Sequence, residues 1–240
     1  MTTRSNLLAA NRERLPRAII ILVVITMAVL GLALLAMTIQ LFTPGVSAAN
    51  LVTGLLGMGS KTPWHLSRAA GTVAYLLLAG STIWGLLLSS KIVKEAVPAA
   101  LSLAMHNVLS WLALAFAGLH AVVLLLDNYY EYRLPHLVIP FIGPYRPGWV
   151  GLGIIGFYLI ALLNISFQFR QRIGQKRWRT LHYLSFAVFV LATVHGIGSG
   201  TDSTKAGMQA VYIGSALLVL FLVLYRGLMS TAFRPRQPTR

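Results

Sequence analysis

The sequence predicts an all-α protein, a polytopic membrane bundle of six transmembrane helices with both termini cytoplasmic. Three observations predict it. First, 57% of the 240 residues are hydrophobic and only 10% are charged, with a mean hydropathy of +0.73, which is too apolar for a soluble domain of this size. Second, six apolar segments are long enough to cross a hydrocarbon core of about 30 Å, which takes roughly 20 helical residues. Third, the basic residues fall almost entirely on alternate loops.

The six segments are Arg17–Phe42, Trp64–Ser89, Val97–Leu126, Trp149–Phe169, Trp178–Gly198 and Met208–Tyr225. The first is followed by Val46-Ser47-Ala48-Ala49, a small-residue stretch that mimics a signal-peptide cleavage site. Its apolar run of about 25 residues is too long for the hydrophobic region of a signal peptide, so a retained helix is expected. Residues 1–16 form a cytoplasmic amino-terminal segment, 17–228 the six-helix domain and 229–240 a basic cytoplasmic tail. No internal repeat, low-complexity tract or second soluble domain is visible.

Orientation follows from charge. With six spans, one side carries Arg4, Arg12, Arg14, Arg17, Lys91, Lys94, Arg170, Arg172, Lys176, Arg177, Arg179, Arg226, Arg234, Arg236 and Arg240. The other side carries Lys61, Arg68, Arg133, Arg146 and Lys205, with three of the five acids. The positive-inside rule places the first group in the cytoplasm. The net charge of +15 is thus a matter of topology and attraction to anionic lipid. It does not interleave with polar or aromatic recognition elements, so nucleic-acid binding is not expected. The implied compartment is a bacterial-type plasma membrane.

The absence of cysteine excludes disulfides, iron–sulfur ligation, thiolate-bound haem and the covalent attachment of c-type haem. Histidine carries the chemistry. His106 and His120 lie fourteen residues apart in the third span, and His182 and His195 lie thirteen apart in the fifth. Both spans enter from the cytoplasmic side and so run parallel. The separations amount to about 21 Å and about 19.5 Å of helix rise. His106 and His182 therefore share an inner level, His120 and His195 an outer one. Fourteen residues close four turns at the 3.5-residue period of a left-handed bundle, so His106 and His120 face one way. Thirteen fits worse, and either a local distortion of the fifth span or different angles of approach is expected there.

Ionisable side chains inside a bilayer are functional candidates by default. Neutral imidazoles facing one another across a bundle are natural axial ligands for iron porphyrin, and two per haem give an electron-transfer centre. Zinc would want four ligands at one site, and no carboxylate or cysteine lies at either level. The plainer alternative, histidines that only hydrogen-bond neighbouring helices, suits a lone histidine better than two matched pairs.

Several motifs then resemble the ferric reductase-like transmembrane domain family, which includes iron reductases, NADPH oxidases and the haem-binding subunit of the methionine sulfoxide reductase system. They are Trp64-His65-Leu66-Ser67-Arg68-Ala69-Ala70-Gly71, the two histidine pairs, Pro140-Phe141, Tyr145-Arg146-Pro147, Trp178-Arg179-Thr180-Leu181-His182, Val194-His195-Gly196 and Gly200-Thr201-Asp202. They cover about residues 63–205. The resemblance implies two non-covalent, bis-histidine b-type haems, with His106 and His182 on the inner iron and His120 and His195 on the outer. It also implies that Arg68 lies near the outer haem, pairing with its propionates or tuning its potential, where the alternative is a snorkelling anchor. Arg146 is either in a loop folded over that haem or solvated. His65 and His136 are read as interfacial, and Asn107 and Asn164 as interhelical hydrogen-bonding residues.

Two features depart from the flavin-linked members of that family. The chain carries no G-x-G-x-x-G after a strand, so electrons are expected from a separate flavoprotein, a bound flavin or a quinol. Leu124 stands where oxygen-reducing oxidases carry a further histidine, which argues against dedicated superoxide production. The expected function is an oxidoreductase component, a di-haem cytochrome passing electrons to ferric iron, oxygen or an extracytoplasmic partner reductase. The alternatives are a quinol-oxidising cytochrome b subunit and a non-catalytic membrane scaffold or transporter with structural histidines.

Overall fold

The computed structural model describes residues 61–232, apart from 91, 93–96 and 128, together with Gly54, Gly57 and Gly59. The expected first span Arg17–Phe42, the amino-terminal segment and the end of the basic tail lie outside the described residues.

Every regular element among the described residues is helical. In chain order these are α1 (Thr62–Ser89), α2 (Ala99–Val123), α3 (Leu134–Val138), α4 (Pro147–Gln168), α5 (Arg170–Ile173), α6 (Gln175–His182), α7 (Leu184–Ser199) and α8 (Ala206–Ala232), with a 3₁₀ turn at Leu124–Leu126 continuing α2. Five stretches are long and apolar enough to cross a membrane: α1, α2 with its 3₁₀ turn, α4, α6 with α7, and α8 as far as Met229. They match the second to sixth predicted spans.

Proline marks where several helices start. Pro63 and Pro147 occupy the first turns of α1 and α4, and Pro98 is the residue before α2. The first-turn N–H groups have no intrahelical acceptor, so a residue lacking that donor costs nothing there. Gly174, with φ of 89°, separates α5 from α6 in a backbone conformation that favours glycine.

The helices pair antiparallel along the chain, α1 with α2 and α4 with α7, while α8 packs on α1. Tyr75, Ala79 and Leu86 of α1 meet Phe189 of α7 and Tyr212, Val219 and Leu222 of α8 in one apolar cluster. A second joins Ala113 of α2, Ile160 and Leu163 of α4 and Val188 of α7. Small side chains at these contacts let backbones approach closely, which is how helices associate in lipid without a hydrophobic driving force. Asn164 crosses between helices as expected, its Nδ2 donating to Ser110 O at 3.4 Å as well as to Ile160 O within its own helix at 3.1 Å.

Large apolar side chains also face outward, as with Leu217, Phe221 and Leu224, each more than half exposed on one face of α8. In water such a stripe costs roughly 25 cal/mol for each square ångström of apolar surface, a penalty that vanishes in hydrocarbon. The bilayer is thus the solvent for which this surface is built.

Candidate functional site: two imidazole pairs between helices

His106 of α2 stands against His182 at the end of α6, with ring centroids 6.0 Å apart. Fourteen residues further along α2, His120 stands against His195 of α7 at 6.1 Å. The contacts run in the same order along both segments, so α2 and the α6–α7 segment are parallel, as the sequence predicts. The thirteen-residue interval is accommodated by a break at Tyr183, where α6 ends and α7 begins. There the N–H groups of Tyr183 and Phe186 donate three residues back, to Thr180 O and Tyr183 O, the tighter winding of a 3₁₀ turn.

The separation is informative. Two imidazoles on opposite sides of one metal, with metal–nitrogen bonds of about 2.0 Å, put their centroids about 6.3 Å apart. A direct N–H···N bond would draw them to about 5 Å. The observed 6.0 and 6.1 Å leave room for an atom between the rings and also lie within the ordinary range for two rings in contact. Among the described residues no group of three or more His, Asp or Glu side chains is placed to hold a bare metal ion. Two imidazoles at each level would suit a group, such as haem, that brings the metal's remaining ligands itself.

Hydrogen bonds fix the state of three of the four rings. His120 Nδ1 donates to Ser67 O at 2.8 Å, His106 Nδ1 to Ser81 O at 3.1 Å and His195 Nδ1 to Trp149 O at 2.9 Å. A carbonyl can only accept, so the proton sits on Nδ1 and the Nε2 lone pair is left for a metal. Serine hydroxyls reinforce the arrangement. Ser67 Oγ donates to His120 O at 2.9 Å, so helix α1 and the histidine hold each other reciprocally. Ser199 Oγ and Ser110 Oγ donate one turn back within their own helices, to His195 O at 2.5 Å and to His106 O at 2.9 Å.

Glycine makes room for each of these three rings. A Cβ at Gly71 would lie 2.8 Å from His120 Nδ1, one at Gly85 would lie 3.1 Å from His106 Cε1, and one at Gly153 would lie 2.6 Å from His195 Nδ1. Each glycine follows the accepting carbonyl by four residues, one helical turn. On α1 the unit is Ser-x-x-x-Gly twice, at 67–71 and 81–85, repeated at the interval that separates His106 from His120. Sequence reasoning missed this second half of the pattern, although its spacing was there to be read.

His182 differs. Its Nδ1 is buried and has no hydrogen-bond partner among the described residues, and neither has Nε1 of Trp178. The ring instead stacks on Trp178 at 4.9 Å and 24°.

The His120–His195 level opens into a cavity of about 560 Å³ lined by both histidines, Arg68, Tyr132, Tyr145 and Asp202 among mostly apolar side chains. That size is typical of small-molecule and cofactor sites. Arg68 is ion-paired with Asp202, which Lys205 also reaches at 2.7 Å. Sequence reasoning gave Asp202 no role, since its partner lies far away in the chain. Arg146 does not line the cavity. Its backbone takes the left-handed conformation just before α4, and its Nη1 donates to Gly198 O at 2.6 Å. Beside it, Tyr145 Oη donates to Ser199 O at 3.1 Å. Together they satisfy carbonyls in the last turn of α7, which have no acceptor role inside the helix. His136 does line the cavity, but its Nδ1 accepts from Arg133 N–H at 3.2 Å. Its proton therefore sits on Nε2, the opposite tautomer from that of a free-Nε2 ligand. Tyr132, buried beside Asp127, has its phenol pushed up to about 12, by burial first and by the Asp127 carboxylate second.

Fold and site define a class: a helical, multi-span membrane protein with two imidazole pairs set between its helices at two levels. Comparison with known proteins narrows this. Over 78 residues the chain is 40% identical to the protein-methionine-sulfoxide reductase heme-binding subunit MsrQ of Salmonella arizonae, a stretch that is 32% of this chain and 38% of that protein. No protein-family model matches the chain, and no solved structure does.

Proposed function

We propose that this protein is a di-haem, b-type membrane cytochrome of the ferric reductase-like kind. In this reading it carries electrons from a cytoplasmic flavoprotein, a flavin or a quinol to an extracytoplasmic acceptor. The observation that carries it is the pair of imidazole–imidazole separations near 6 Å, with the lone pair directed to Nε2 in three of the four rings. The similarity to a haem-binding subunit over 78 residues supports haem as the macrocycle.

A bound haem would supply one-electron exchange between ferric and ferrous states. The chain's own residues do the rest. His106 and His182 hold the inner group, His120 and His195 the outer. The carbonyls of Ser81, Ser67 and Trp149 fix ring tautomer and orientation, so ligation needs little reorganisation. Mostly apolar side chains wall the cavity at the outer level. Arg68, lining the outer cavity, is the cation available to an anionic edge of the outer group, in competition with Asp202. An extracytoplasmic partner reductase is the acceptor favoured here, because the relative's name describes a subunit of a reductase.

The test is haem stoichiometry and its response to ligand loss. Protein expressed with ample haem should show a reducible bis-imidazole spectrum with two haems per chain. His120→Ala should abolish the outer component and spare the inner. A spectrum without bis-imidazole haem, or an intact spectrum in that variant, would overturn the assignment.

A further inference from the structure

The four imidazoles are not equivalent, and the difference has an electronic consequence. An acceptor on Nδ1 gives the ring partial imidazolate character, which strengthens its donation through Nε2 and stabilises the oxidised metal. At the His120–His195 level both rings have such an acceptor, Ser67 O at 2.8 Å and Trp149 O at 2.9 Å. At the His106–His182 level only His106 has one, Ser81 O, at a longer 3.1 Å. His182 Nδ1 has no protein acceptor among the described residues.

Charge acts in the same direction. Arg170, Arg172, Lys176, Arg177 and Arg179 lie on α5 and α6, the short helices that lead into His182, and neither helix contains a carboxylate. Positive charge near a redox centre favours the reduced form. At the other level Asp202 is shared by Arg68 and Lys205, which leaves one net positive charge there against five on α5 and α6. Burial acts the other way, because the His120 and His195 rings are the more deeply enclosed, and hydrogen bonding and charge are taken to outweigh it.

Resting on the di-haem reading above, we infer that the centre at His106–His182 has the higher midpoint potential, and that Gly71 and Gly153 are positioning residues that keep the other centre low. Their missing side chains let His120 and His195 reach the carbonyls of Ser67 and Trp149. Electrons passing outward then move to a centre of lower midpoint potential, an uphill step that the electrical gradient of a membrane negative inside favours.

The experiment is a spectroelectrochemical titration of the purified, haem-loaded full chain in lipid nanodiscs, with each component assigned by removing the other. His120→Ala should leave the higher of the two wild-type midpoints, and His106→Ala the lower. Gly71→Ala, which sets a Cβ 2.8 Å from His120 Nδ1, should raise the lower midpoint and leave the higher one in place. Gly153→Ala tests the same effect through His195 if Gly71→Ala fails to fold. Coincident midpoints, the reverse order, or a lower midpoint unmoved in a folded glycine variant would overturn the inference with two haems still bound. Failure to bind two haems would instead sink the functional reading on which it rests.

Discussion

The two ends of this bundle hold the same pair of residues in different ways. At the His120–His195 level each ring is clamped: a carbonyl takes its Nδ1 proton, a serine hydroxyl returns a bond to its backbone, and a glycine on the facing helix leaves the space. At the His106–His182 level only His106 is held in this manner. His182 lies at the break between α6 and α7 and rests on the face of Trp178. The lesson is that equal ring separations, 6.0 and 6.1 Å, do not imply equal support. Distance is set by helix packing, but orientation and ligand strength are set by what the far nitrogen touches.

The comparison can be broken most severely at Gly153. Gly153→Leu should force the His195 ring off Trp149 O, empty that level of its cofactor and destabilise the fold by about 1–3 kcal/mol, the usual cost of overpacking. Loss of absorbance per protein chain and a lowered melting temperature would register it. Should the His106–His182 level empty as well, the two levels are not independent.

A smaller effect is expected at Trp178. Trp178→Ala removes the stack on His182 and should cost about 0.5–1.5 kcal/mol from that contact. A spectroscopic change confined to the His106–His182 centre would sharpen the contrast, because no hydrogen bond remains to hold that ring. A change at the other level would contradict it.

The smallest effect at neutral pH concerns Tyr132, near the rim of the cavity. Its folded pKa of about 12 lies above the ordinary value near 10. The neutral phenol is therefore favoured in the folded state, and its stabilising contribution is complete below pH of about 10 and lost as pH rises toward 12. Tyr132→Phe should leave neutral-pH stability nearly unchanged and remove that alkaline loss. The check is the melting temperature of both proteins across this range.

Much of this protein was legible in its sequence. Four of the predicted spans coincide with helices to within a few residues, because apolar runs of this length have no other way to satisfy their backbone in lipid. The sixth, predicted to end at Tyr225, continues as helix to Ala232, into the predicted tail. The pairing of His106 with His182 and of His120 with His195 drew on charge asymmetry, which made two spans parallel, and on helix rise, with the thirteen-residue pair resting partly on the family resemblance. Even the expected irregularity of the fifth span has its counterpart in the break at Tyr183.

What only the tertiary structure decided is the environment of each ring. The acceptors for Nδ1 are backbone carbonyls, and every residue type has one, so nothing in the letters marks Trp149 as a partner. The glycines matter only because a particular histidine lies across from them, and Asp202 matters only because α1 brings Arg68 to it. Apolar length and charge are properties of a segment and survive in one dimension. Which nitrogen meets which carbonyl depends on the relative rotation and depth of two helices, and that is settled only when they pack.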